Sequence, residues 1–353
     1  MEHQSHAKQG DATADHAERS HSGQDHGQSG RARVVIAGAS GFLGRALVAA
    51  FEGDGWEVVR VGRRESVRWG DRDAIERAVD GADVLINLAG KSVNCRYNNA
   101  NRNEILRSRV ETTAELGRAV AAVSAPPRVW FNASTATIYR HATDRPNTEA
   151  EGELGKGFSV DVARSWERVF FEGELPGTRR VALRMAIVLG DGPAASTLFT
   201  LARLGLGGPN IDGWAPNHRR YRGIGLTPSG DGSAPQYRTR GRQKFSWVHV
   251  DDVVGSVRFL LERDDLDGVV NVSSPNPSDN RTLMAGIRRV VRAPFGIPSW
   301  RWMLEPAMAV LRTEPELILK SRWVMPERLT DAGYHFEHPE LNPVLRLVAR
   351  ELG

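Results

Sequence analysis

With 353 residues, 40% of them apolar and 25% charged, the chain has enough apolar material to build a sizeable core. No uninterrupted apolar stretch approaches the ~20 residues of a membrane span, so no membrane partner is expected. A net charge of +4 and a pI near 9.4 do not by themselves mark a nucleic-acid binder, and none is expected. Cys95 is the single cysteine, which excludes an internal disulfide and suits a reducing, cytoplasmic setting.

The first thirty residues are rich in Gly, Ser, Gln, Ala, Asp and His and carry almost no large apolar side chain. Burial cannot offset their ordering entropy, so residues 1–30 are read as a disordered tail. It has no apolar core of the kind a secretory leader needs. His3, His6, His16, His21 and His26 are irregularly spaced with no cysteine among them, which favours solvated side chains over a metal site, so no metal is expected. Its five acids against Lys8 and Arg19 make the tail net −3 and leave +7 for the remainder.

From residue 31 short apolar runs alternate with amphipathic stretches, the pattern of a parallel sheet with crossover helices. The predicted strands are Arg33–Ala37, Glu57–Val61, Val84–Leu88, Arg128–Asn132, Arg180–Leu183 and Val269–Val272. After the first strand comes Gly38-Ala39-Ser40-Gly41-Phe42-Leu43-Gly44, then a helical stretch from Arg45 to Phe51. Strand, spaced glycines and helix together make the geometry that holds a dinucleotide pyrophosphate. One glycine permits the tight turn, one admits the phosphates, and one lets helix and strand pack closely. The helix N-terminus adds free N–H groups and partial positive charge.

About twenty residues past such a loop, an NAD binder places an acid on the ribose 2′-hydroxyl. Here the chain reads Gly62-Arg63-Arg64. Guanidinium groups suit a 2′-phosphate, so NADP is the expected cofactor, with Arg63 its first contact. The competing reading is two solvated arginines on a surface loop. Between the third and fourth strands, Ile105, Leu106, Val110, Leu116 and Val120 recur at helical spacing across Arg102–Val123.

Residues 209–244 break the pattern. Arg219, Arg220, Arg222, Arg238, Arg240, Arg242 and Lys244 face only Asp212 and Asp231, a net of +5 in a Gly- and Pro-dense stretch. A solvated insertion is favoured for most of it, over a lid or a polyanion contact, with Gly241-Arg242-Gln243 nearest the substrate edge. From Arg281 onward the chain reads as mostly helical. The fold expected is therefore α/β: a Rossmann-type doubly wound parallel sheet over 31–280, with a small, mostly helical C-terminal lobe over 281–353.

Several segments together resemble the epimerase-like, atypical extended short-chain dehydrogenase/reductases. They are the glycine loop, Asn87-Leu88-Ala89-Gly90, Ser108-Arg109-Val110, Leu183-Arg184 with Ile187-Val188-Leu189-Gly190, and Leu204-Gly205-Leu206-Gly207-Gly208-Pro209. Phe245-Ser246-Trp247-Val248-His249, Met325-Pro326-Glu327-Arg328-Leu329 and Ala332-Gly333-Tyr334 complete the set; the last two resemble that family's C-terminal domain of unknown function. The resemblance implies NADP binding by Gly38, Ser40, Gly41, Phe42, Leu43, Gly44, Arg63, Leu88, Ala89 and Gly90. It also implies an oxidoreductase or epimerase label without an assigned substrate.

The same likeness puts a substrate-polarising hydroxyl at Ser134 or Thr135. The superfamily's Tyr-x-x-x-Lys pair, in which the lysine lowers the phenol's pKa for proton transfer, is missing: the two slots hold Ser159 and Ala163. Arg109 stands where the helix asparagine belongs. Ile187 and Phe245 occupy two positions that nucleotide-sugar epimerases fill with Asn and Arg, which argues against that chemistry. Tyr139 is the replacement proton donor considered first, alongside water, with Lys91 and Cys95 as lesser candidates. His249-Val250-Asp251-Asp252 reads as a turn into a helix. Two functions follow: an NADP(H)-dependent oxidoreductase of a small carbonyl or alcohol, or a non-catalytic NADP(H)-binding sensor.

Overall fold

A computed structural model describes residues 31–310 and 314–352; the tail expected over residues 1–30 lies outside the described residues. Its centre is a seven-stranded sheet built from β1 (Arg33–Ala37), β2 (Glu57–Gly62), β3 (Val67–Arg68), β4 (Val84–Asn87), β5 (Val129–Thr135), β6 (Arg179–Met185) and the edge strand Gly268–Val272. The order is edge strand, β6, β5, β4, β1, β2, β3, every pairing parallel. The described residues from Ala32 onward pack as one unit.

The strands are apolar at successive positions because both faces are covered. In β1, Val34 and Ile36 pack on one face with Leu47 and Phe51 of α1 (Phe42–Gly53). Val35 and Ala37 face the other way, toward Ile75 of α2 (Arg72–Val79) and Leu116 of α3 (Asn99–Ala122). From β1 the chain goes first to β2 on one side and later to β4 on the other, so the crevice opens at the C-terminal ends of β1 and β4.

Three differences from the sequence reading matter for the site. The sheet gains β3, a two-residue strand too short to show a period. β5 runs on to Thr135, paired with Met185, so Ser134 and Thr135 end a strand rather than follow one. The stretch 209–244 is not a solvated insertion. Asp161 of α4 (Phe158–Phe170) accepts from the backbone of Ile224 and Ser229, at 3.0 and 2.9 Å. Arg102 donates to the carbonyls of Arg220 and Arg222, at 2.6 and 2.7 Å, while Asp212 accepts from the Thr239 and Arg240 N–H groups. Within it, Ala215, Tyr221 and Ala234 bury one another. The basic residues masked these anchors because their partners are backbone atoms.

Farther along, α5 (Pro193–Arg203), α6 (Val250–Leu261) and α7 (Asn280–Val290) precede a helical C-terminal region. Its last helix, Leu341–Glu351, joins α5 and α7 around Phe245 and Trp247, while Leu329 enters the sheet's own core. No helix among the described residues is long and apolar enough to cross a membrane.

Candidate active site

The loop after β1 is shaped by sterics. Gly38 has φ +81°, and a Cβ there would lie 2.8 Å from the Leu88 carbonyl carbon. A Cβ on Gly44 would sit 2.3 Å from the Gly38 oxygen, so only glycine lets α1 start this close to the strand. Gly41 caps α1 without a side chain, and no acidic residue occupies the first turn. The leading N–H groups there have no intrahelical acceptor and form a ready anion site. Ser40 is exposed, its carbonyl taken by Arg45, and the half-buried Phe42 ring packs where Cβ atoms on Gly190 or Gly192 would intrude, at 2.9 and 3.0 Å.

At the end of β2, Arg63 and Arg64 are exposed, and among the described residues neither makes an ion pair or side-chain hydrogen bond. Across the crevice, the buried Asn87 amide donates to Thr113 and Asn132, at 3.0 and 2.7 Å, and its oxygen accepts from the Ala89 N–H at 3.0 Å. That bond fixes the turn through Leu88, Ala89 and Gly90.

A cavity of about 450 Å³ extends inward from these loops. Gly38, Gly41, Phe42, Leu43 and Gly44 form one end, with Leu88 and Gly90 beside them; Ser134, Thr135, Thr137, Tyr97 and Ser159 line deeper parts. Ala89 is buried behind the wall. Among the described residues the lining includes Lys91 and Arg109 but no Asp or Glu.

The two hydroxyl candidates are not equivalent. Ser134 is buried and donates to Glu167 Oε1 at 2.6 Å. Glu167 also receives a two-pronged contact from Arg184, at 2.8 and 2.7 Å. The Ser134 proton is thus committed to a carboxylate. Thr135 is half-buried, and its Oγ1 accepts from the Thr137 N–H at 3.2 Å, which leaves its proton free to point into the cavity.

Tyr139 requires a correction. It is 1% exposed, does not line the cavity, and its hydroxyl donates to Asn271 Oδ1 at 2.8 Å while accepting from Arg184 Nη1 at 3.0 Å. Burial raises its pKa, against the pull of Arg184. Burial also opposes the Arg184 charge, yet its pKa ends raised, because Glu167 and the Tyr139 oxygen accept from it. Tyr139 is a tie between β6 and the edge strand, not a proton donor. A lone aromatic hydroxyl four residues beyond a strand carries no sign of which way it points.

Other candidates separate in the same manner. Cys95 lies off the lining and burial raises its thiol pKa, so it stays protonated. Lys91, Ser159 and Ala163 do line the cavity. Tyr97 was not anticipated: its ring meets Phe158 edge-on at 4.7 Å, and it lines the cavity together with Ser159, the residue in the tyrosine slot. The phenol missing from α4 is supplied from the turn before α3, although burial raises its pKa strongly and keeps it neutral. His249 is fully buried and its Nδ1 caps α6 by accepting from the Asp251 N–H at 3.3 Å, as a structural role requires.

A doubly wound parallel sheet and a glycine cradle at its switch point, opening on a hydroxyl-lined cavity, together define a Rossmann-type protein. Residues 34–156 match the NAD dependent epimerase/dehydratase family, and residues 301–348 match a domain of unknown function, DUF1731. The epimerase family protein SDR39U1 of Mus musculus is 29% identical over 324 residues, which span 89% of this chain and 98% of that protein. The epimerase family protein YfhF of Bacillus subtilis is 27% identical over 318 residues, 87% of this chain and 95% of its own. The crystal structure of human SDR39U1 with NADPH superposes with a TM-score of 0.74 at 25% identity, covering 90% of this chain and 99% of the human one. Over most of its length the chain is thus similar to epimerase family proteins, with a match to DUF1731 near its C-terminal end.

Proposed function

We propose that the chain is an NADP(H)-dependent oxidoreductase acting on a small carbonyl or alcohol. One observation carries the reading: the glycine cradle opens into the same cavity that presents the uncommitted Thr135 hydroxyl. The residues present suit the cofactor, since glycine fills each position where a Cβ would close the cradle and Arg63 stands unpaired where a 2′-phosphate belongs. The human relative solved with NADPH supports the same choice. When bound in the cradle of Gly38, Gly41 and Gly44 with Arg63 at its edge, NADPH would supply the hydride for carbonyl reduction, the matching proton going to the carbonyl oxygen.

The chain's own groups hold and polarise. Thr135 donates to the substrate oxygen, while Ser134, Glu167 and Arg184 brace the strand end that carries it. Tyr97 and Ser159 supply further neutral donors, and the proton consumed comes from water through them. Binding measured by NADPH fluorescence, with Arg63→Asp and Thr135→Val compared, tests this. NADPH should be preferred over NADH, and Arg63→Asp should remove about tenfold or more of that preference, the worth of a charge-assisted contact. Thr135→Val should spare cofactor binding and depress turnover of whichever carbonyl is reduced. Equal affinity for NADH and NADPH, or for neither, overturns the reading.

The second reading, an NADP(H)-responsive module without catalysis, draws on the Ser134 proton being committed to Glu167 and on Ser159 and Ala163 in the usual Tyr and Lys slots. NADPH binding with no oxidation across a broad carbonyl panel would favour it.

A further inference from the structure

Arg109 projects from the middle of α3 into the cavity. Its Nη1 donates to the carbonyls of Lys91 and Ile105, at 3.1 and 3.0 Å, and the guanidinium lies 5.1 Å over the Trp166 ring. No protein acceptor takes Nε or Nη2 among the described residues, and Arg109 forms no ion pair there. Burial lowers its pKa to about 10; Tyr97 and Cys95, the groups that counter this, are neutral at physiological pH. Arg102, buried on the same helix, gives both terminal nitrogens to backbone carbonyls, and two other enclosed arginines have counter-ions. Arg184 is paired with Glu167, and Arg220 with Glu305. A half-buried guanidinium that faces a cavity without a counter-ion is poorly satisfied, and it stays charged near neutrality. Lys91 on the same wall, and the lack of any acid there, give that space one sign of charge.

We infer that Arg109 is a specificity residue that seats the carboxylate of an anionic carbonyl substrate, a small 2-oxo acid or its 2-hydroxy acid, across the cavity from Thr135. The inference rests on the oxidoreductase reading for its chemistry but not for its binding. A cofactor pyrophosphate is the other source of such an anion. It already has the first turn of α1, whereas Arg109 belongs to the α3–α4 wall, beside Trp166.

Calorimetry with pyruvate, 2-oxobutyrate and 2-oxoglutarate, set against methyl pyruvate and 2-butanone, decides the matter with and without saturating NADPH. At least one acid should bind about tenfold or more tighter than the neutral ketones, the scale of a charge-assisted bond. Arg109→Gln should erase that gap while NADPH affinity stays within about twofold, and Arg109→Lys should retain part of it. In turnover, the same gap should fall on KM. Acids and ketones binding alike, no acid binding at all, or a gap that survives Arg109→Gln would overturn the inference. Loss of NADPH affinity in Arg109→Gln would overturn it too, by assigning the anion to the cofactor. Failure of the wild type to bind NADPH would strike the oxidoreductase reading instead, since the arm without cofactor still reports on Arg109.

Discussion

Replacing Glu167 by Gln would strand a charge at the centre of the sheet's C-terminal edge. In the native protein its two oxygens take Arg184 Nε and Nη2 at 2.8 and 2.7 Å, and Oε1 also takes the Ser134 proton at 2.6 Å. Both partners of the ion pair are about nine-tenths buried, so water does not substitute for the lost carboxylate. Removing one member of such a pair typically costs about 3–5 kcal/mol, a large share of a domain's total of roughly 5–15. Guanidinium chloride unfolding of Glu167→Gln should show a free-energy loss of that size, seen as a lower midpoint with little change in slope. The double variant Glu167→Met with Arg184→Met should be milder than either single Met variant, because no uncompensated charge stays behind. A single-variant loss below about 1 kcal/mol, or a double variant whose loss is the sum of the singles, would refute the argument that the pair acts as a unit.

Two further outcomes follow from the same geometry. Gly44→Ala puts a methyl within 2.3 Å of the Gly38 oxygen, so α1 must retreat from the loop; calorimetry should show NADPH affinity falling by about tenfold or more, with a melting point lowered as well. Burial, followed by Lys320, pushes His141 down to about pKa 4, where its Nδ1 accepts from the Ser321 N–H at 2.9 Å and its ring stacks on Tyr237 at 4.3 Å. The unfolded imidazole, near pKa ~6.5, protonates first. Stability is therefore full above about pH 6.5 and lost as pH falls toward 4, by roughly 3 kcal/mol. His141→Phe should flatten that slope in pH-dependent unfolding, and an unchanged slope would contradict it.

Much of the architecture was legible in the chain because strand burial on both faces writes itself as unbroken apolar runs. Val34 to Ala37 and Val84 to Ile86 announce a parallel sheet whatever the surroundings, and the Gly38–Gly44 spacing announces its loop. These are local signals, set by backbone sterics and side-chain period. The chemistry of the deeper cavity was not local. Tyr139 and Tyr97 are both single tyrosines in short turns, yet one hydroxyl is held by Asn271 and Arg184, 132 and 45 residues away, while the other tyrosine lines the cavity wall.

The amino-acid order alone determined the loop after β1, whose glycines can adopt their turn only where no Cβ intrudes, and it placed two exposed arginines after β2. Only the tertiary structure decided which polar groups remain available to a ligand. That availability depends on acceptors contributed by distant strands and helices, as when Glu167 takes the Ser134 proton and no carboxylate meets Arg109.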